Sequence, residues 1–277
     1  MRDGYWVTRT YTAGTVGEKI KFFVPGKRPD KKLRRRDLQL VRKAEQNQHN
    51  AVRTLARILN ANFGAGDLLL GLDYSPEGME RILAWGRAHG LEVDADDEAV
   101  RMDAIWESAS HELDNALRRV KRRLEKQGME LRAVYVTADT DGSTGYPVRV
   151  HHHLVVNAGV QDAFLQAWEQ MGLGGVSWSP MREHQQDRTP IAEYLIRQVR
   201  RIPDAKKYRS TRNLTRPVAK DRVATTAAEL RVPAGGELLY RQEYRPNQPQ
   251  YIRYTVPRKK PGDKHRDQTE QLPAPSA

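Results

Sequence analysis

The stretch that most constrains the fold is 149–157, Arg-Val-His-His-His-Leu-Val-Val-Asn. Its β-branched and apolar character predicts a strand. Strand side chains alternate between faces, so His151 and His153 project together while His152 points the other way with Val150 and Leu154. Just upstream, 131–138 predicts a second strand. The two are joined by Asp139-Thr140-Asp141-Gly142-Ser143-Thr144-Gly145, a run of turn-forming residues, and the pair reads as a hairpin.

The elements around this hairpin alternate in type. Strands are expected at 5–11 and 18–24 around the Gly14/Gly17 turn, at 67–74, at 175–179 and at 251–254. Helices are expected at 37–60, 76–90, 96–127 and 160–171. A further helix opens at Thr189-Pro190 and ends before Pro203. The helix at 96–127 carries Ile105, Ala109, Leu113, Leu117, Val120 and Leu124 at the spacing of one amphipathic face. The fold class predicted is α+β, an antiparallel sheet with flanking helices, the histidine strand central and the tyrosine-bearing helix beside it. We divide the chain into a basic N-terminal hairpin and helix at 1–62, a central domain at 63–217, and a C-terminal extension with a disordered basic tail at 218–277.

Charge narrows the partner. The 277 residues hold 47 Lys+Arg against 35 Asp+Glu, a net charge of +12, which favours a polyanion and above all nucleic acid. The surplus is concentrated: 197–222 contains ten basic residues with only Asp204 and Asp221 opposing them. With no cysteine, disulfides, thiolate metal sites and a cysteine nucleophile are excluded, which fits a reducing compartment. No apolar run approaches the roughly 18 residues of a membrane span and the amino terminus lacks a signal-peptide core, so a soluble cytoplasmic protein with no membrane partner is expected.

Two imidazoles side by side form a clamp for a divalent metal, and carboxylate and water ligands would leave positions open for a substrate oxygen. Asp139, at the end of the strand feeding the histidines, is the expected third ligand; Asp141, beside Gly142, reads as a turn residue. In the helix from Thr189, the apolar arc gathers Ile191, Ala192, Leu195, Ile196, Val199 and Ile202. Tyr194 falls outside that arc, with Arg197, Gln198 and Arg201. A phenol beside guanidinium groups is placed to meet a phosphate. The alternative, a rim tyrosine with its hydroxyl in water, stays open on this helix alone.

Together these motifs resemble the HUH endonucleases, in particular the single-tyrosine replication initiators of phages and plasmids. Leu68-Leu69-Leu70-Gly71-Leu72-Asp73-Tyr74 is similar to the family's first strand motif, and Val136-Thr137-Ala138-Asp139 to the strand ending in a metal-binding acid. His151-His152-His153 matches His-hydrophobe-His with His152 in the hydrophobic slot. Tyr194-Leu195-Ile196-Arg197 matches Tyr-x-x-Lys with arginine for lysine, and Tyr208-Arg209-Ser210-Thr211-Arg212-Asn213-Leu214 resembles a segment that follows the tyrosine helix. The resemblance covers roughly 63–217 and implies a five-stranded sheet and a Mg2+ or Mn2+ ion on His151, His153 and Asp139. It further implies that Tyr194 attacks single-stranded DNA at a replication origin to leave a 5′-phosphotyrosine, with Arg197 stabilising charge. Arg200, Arg201, Lys206, Lys207, Tyr208, Arg209 and Arg212 would hold the strand, Trp178 could stack on bases, and a host helicase and polymerase in a bacterial cytoplasm would complete replication. A conjugative relaxase shares the chemistry but usually places its tyrosine upstream of the histidines. A non-catalytic nucleic-acid-binding protein would explain the charge without chemistry.

Overall fold

The computed structural model describes residues 4–25, 43–199, 206–224, 229–242 and 249–256. In chain order the elements are β1 (Gly4–Ala13), β2 (Val16–Pro25), α1 (Lys43–Asn62), β3 (Leu68–Asp73), α2 (Pro76–Ala88), α3 (Glu98–Lys126), β4 (Ala133–Thr140), β5 (Pro147–Val156), α4 (Gln161–Gln170), β6 (Val176–Pro180), α5 (Thr189–Arg197), β7 (Arg209–Ser210), β8 (Lys220–Ala224), β9 (Leu238–Arg241) and β10 (Gln250–Thr255). The class is mixed α and β, with five helices and two antiparallel five-stranded sheets among the described residues. No helix among them is long and apolar enough to cross a membrane.

The central sheet has the order β6-β3-β5-β4-β7, with the histidine strand in the middle as expected. It is covered on both faces. On one side Leu70, Leu72, Leu154 and Val156 pack against Leu113 and Val120 of α3 and Phe164 and Trp168 of α4. Each such buried side chain stabilises the fold by roughly 1.5–3 kcal/mol. The amphipathic stripe expected on α3 is the buried face, and Asp97 caps its amino end by accepting from the N–H groups of Ala99 and Val100. On the other side Val134, Val136 and Val155 meet Leu55, Ile58 and Leu59 of α1 and Ala192, Leu195 and Ile196 of α5.

One difference from expectation concerns a helix end. Helix α5 stops at Arg197 rather than running towards Pro203, because the Gln198 carbonyl accepts the N–H groups of Asp139 and Thr140, both at 3.3 Å, and is tied to β4 instead of extending the helix. Residues 37–42, read as the start of a helix, and the tail from 257 lie outside the described residues. The N-terminal hairpin and the C-terminal extension, separate stretches of the chain, join in the second sheet, of order β8-β1-β2-β10-β9. Its hairpin turn sits against α1: Gly14 has φ of 57°, and a Cβ there would come within 2.2 Å of the Asn60 carbonyl oxygen.

Candidate active site

The register of β5 fixes which histidine faces what. His151 pairs with Asp73 on β3 and with Ala138 on β4; His153 pairs with Gly71 and Val136. His152, one residue out of phase, is fully buried beneath the sheet. There its Nε2 meets the Tyr74 hydroxyl at 2.8 Å and its Nδ1 meets the Thr137 hydroxyl at 3.1 Å. Burial, reinforced by the flanking histidines, lowers its pKa to about 3, so it stays neutral and structural.

On the opposite face three polar atoms converge. His151 Nε2 and His153 Nε2 are 3.1 Å apart, and Gln198 Oε1 lies 3.3 Å from the first and 3.0 Å from the second. The arrangement is oriented from behind. The Gln198 Nε2 group donates to the Tyr194 carbonyl at 3.4 Å, which turns its oxygen towards the imidazoles. His151 Nδ1 is 2.9 Å from the Arg149 carbonyl, an atom that only accepts; Nδ1 therefore carries the proton, and in the neutral ring Nε2 presents a lone pair to the cleft. Burial and the neighbouring His151 depress the His153 pKa to about 4 against the opposing pulls of Gln198 and Asp73, which keeps this ring neutral as well.

Tyr194 completes the group. It is 46% exposed, outside the apolar arc of α5 as its helical position predicts, and its hydroxyl is 3.3 Å from His153 Nε2. Arg197, one turn on, is exposed and loosely paired with Glu193 at 3.8 Å. His151, Gln198, Tyr194 and Arg197 line a cleft of about 740 Å³ bordered by the 140–143 turn and Arg149. Asp141 organises that turn. Its Oδ1 accepts from Ser143 and Thr144, through both backbone and hydroxyl, and those bonds hold its carboxyl far below the usual carboxylate range.

The structure thus brings together His151, His153, Tyr194 and Arg197. It does not gather Asp139 with them: among the described residues no group of three or more His, Asp or Glu side chains is placed to hold a metal ion. Asp139 is 3% exposed and its carboxylate accepts from Thr140 Oγ1 at 3.1 Å. The third polar atom beside the two imidazoles is Gln198 Oε1. The only sequence signal for it was its spacing four residues after Tyr194, one helical turn along the polar side. The donors suit a divalent cation. Ligands at right angles, each about 2.1–2.2 Å from a metal, lie about 3.0 Å apart, close to the separations found here. Two imidazole nitrogens and one neutral carbonyl oxygen also leave the cation's charge unspent by carboxylates.

The residues expected to hold DNA divide. Lys206 and Arg212 are exposed and Lys207 is half-buried, and Trp178 is 45% exposed on edge strand β6. Tyr208 is engaged within the protein, packed on the apolar cluster between α1 and α5, and burial raises its phenol pKa. Arg209 is also engaged, paired with Asp114 at 3.0 Å and 5.9 Å from the Trp106 ring centroid. Arg200 and Arg201 lie outside the described residues.

Comparison with models of known protein families, with curated proteins and with solved structures finds no match.

Proposed function

We propose that this cleft nicks and rejoins single-stranded DNA, and that the protein is a rolling-circle replication initiator of the HUH type acting with a host helicase and polymerase. The observation that carries the reading is the convergence of an exposed phenol with two imidazoles and a carboxamide oxygen at one open cleft. The +12 net charge supplies the affinity for a phosphodiester strand.

His151, His153 and Gln198 are the residues that would hold Mn2+ or Mg2+, which supplies Lewis-acid polarisation of the scissile phosphate when bound. Tyr194 is the nucleophile: its oxygen attacks phosphorus and its proton passes to water in the open cleft. The bond from phosphorus to the 3′ oxygen breaks and that oxygen is protonated, leaving a 5′-phosphotyrosine and a free 3′-hydroxyl. Attack by a 3′-hydroxyl on the phosphotyrosine runs the step backwards and reseals the strand. Arg197 needs only to swing away from Glu193 to meet the charge that develops on the phosphoryl oxygens; as a permanently charged guanidinium it stabilises rather than shuttles protons.

The test is adduct formation. Incubated with single-stranded oligonucleotides spanning its own genomic neighbourhood and Mn2+, the protein forms a covalent complex that chelator prevents. Tyr194→Phe loses the adduct by at least about a thousandfold, since no other group replaces the nucleophile. Binding without any adduct would leave a non-catalytic nucleic-acid-binding protein.

A further inference from the structure

The second sheet has one feature the nicking cleft does not use. Within its five strands the only acidic residues are Glu18 and Asp221. Both project from the face that holds Arg9, Tyr11 and Arg253, where Arg57 binds Glu18 and Arg9 binds Asp221, each at 2.7 Å. On the other face the charged residues of β8, β1 and β2 are all cations, of which Lys21 is buried. The register sets Arg222, Thr8 and Lys21 in one row and Lys220, Thr10 and Lys19 in the next, about 7 Å away along the strands. Lys220 and Arg222 are exposed.

The same face ends in an aromatic pair. Phe23 is 40% exposed, and its ring leans across β1 over Gly4, where a Cβ would stand 2.1 Å from its Cζ. Trp6 braces it edge-on with centroids 5.5 Å apart, and the Lys21 ammonium lies 5.8 Å from the Trp6 ring centroid. Towards β10 and β9 the face is closed by the segment around Leu230, which packs on Ile252 and Tyr254. The β8-β1-β2 half thus pairs exposed cations with an accessible ring, the combination that lets a sheet hold unpaired nucleotides.

We infer that the outer face of β8-β1-β2 is a second binding platform for single-stranded DNA, separate from the nicking cleft, with a base stacked on Phe23 and phosphates on Lys220 and Arg222. The choice of DNA as the strand rests on the nicking reading; the charge and the ring do not.

The experiment measures anisotropy of labelled oligo-dT on the full chain carrying Tyr194→Phe, in chelator, so that no strand is cut. Reversing both exposed cations, Lys220→Glu with Arg222→Glu, weakens binding about tenfold and lowers the slope of log K against log salt by at least about 1.4, two contacts at 0.7 each. Phe23→Ala costs roughly another tenfold and Phe23→Tyr restores it, since a phenol ring stacks as a phenyl does. Unchanged affinity in the charge and Phe23→Ala variants overturns the platform, as does equal binding of duplex or oligo-U with no dependence on Phe23. Adduct formation by the protein with Tyr194 intact on a short oligonucleotide is followed in parallel. An adduct unaffected by platform variants whose oligo-dT affinity is also unaffected sinks the platform and spares the nicking; platform binding with no adduct does the reverse.

Discussion

The two sheets share a plan, five antiparallel strands with a hairpin inside, and are held by different physics. The central sheet is clamped by hydrocarbon on both faces, from α3 and α4 on one side and α1 and α5 on the other. The terminal sheet has a small apolar cluster of its own, Leu230, Ile252 and Tyr254. It meets the rest of the protein through charge: Glu18 with Arg57 at 2.7 Å, and Arg253 Nε with Asp187 at 2.7 Å, an ion pair without hydrogen-bond geometry. Arg57 also lies 3.5 Å from the Tyr11 ring centroid and Arg53 4.1 Å from that of Tyr251. Hydrophobic burial is non-directional and spread over many side chains, whereas a buried ion pair concentrates its dependence on two. The central sheet should therefore absorb single substitutions that the terminal sheet cannot.

The largest effect should come from breaking that junction. Arg57→Met leaves the Glu18 carboxylate, 3% exposed, buried without its guanidinium, a change that costs about 3–5 kcal/mol. Hydrogen exchange then shows β1, β2 and β10 losing protection while β3, β4 and β5 keep theirs. Equal loss in both sheets would mean that they unfold as one unit and that the contrast is only one of composition.

Acid probes the other sheet. An unfolded imidazole protonates near 6.5, but folded His152 does so only at about 3. Between those values the unfolded chain holds the extra proton, so stability is whole above about pH 6.5 and falls as pH drops towards 3. For this one residue the loss is about 2 kcal/mol between pH 7 and pH 5 in chelator. His152→Leu should remove that part of the acid sensitivity at modest cost near neutrality, because the Tyr74 hydroxyl still reaches the Ala109 carbonyl at 3.2 Å and Thr137 still meets Ser110 at 3.3 Å. A variant as acid-labile as the parent would place the titrating group elsewhere.

The same contrast explains what could be read from the residues alone. Period-two alternation separated His152 from its neighbours, and helical spacing put Leu113 and Val120 inside and Tyr194 outside, since local geometry decides those faces. The terminal sheet depends on pairings such as Arg9 with Asp221, 212 residues apart, which no local pattern records. Its late strands β8 and β9 are short and exposed, so they lack the apolar alternation that marks a half-buried strand. In the cleft, a carboxylate was the natural guess for a third donor beside two imidazoles. Gln198 stands there instead because α5 ends where β4 captures its carbonyl, a tertiary event that sets the side chain against the histidines.

That capture leads to the smallest expected effect, inside the sheet that should be tolerant. Gly142 in the turn presses on the end of α5: an added Cβ would lie 3.2 Å from Gln198 Cγ and 3.4 Å from Arg197 Cβ. Gly142→Ala needs shifts of only a few tenths of an ångström, so the melting midpoint should move by the equivalent of less than about 1 kcal/mol. A donor set with separations of 3.0–3.3 Å is less forgiving. Mn2+ affinity, followed by titration of the full chain, should weaken severalfold, short of the roughly tenfold or more lost when an outer-shell partner is deleted outright. If affinity is untouched while stability falls, the turn serves the packing of α5 alone. If affinity falls with the fold intact, the boundary between tolerant and intolerant physics runs through the central sheet itself, at the point where hydrocarbon gives way to aimed polar atoms.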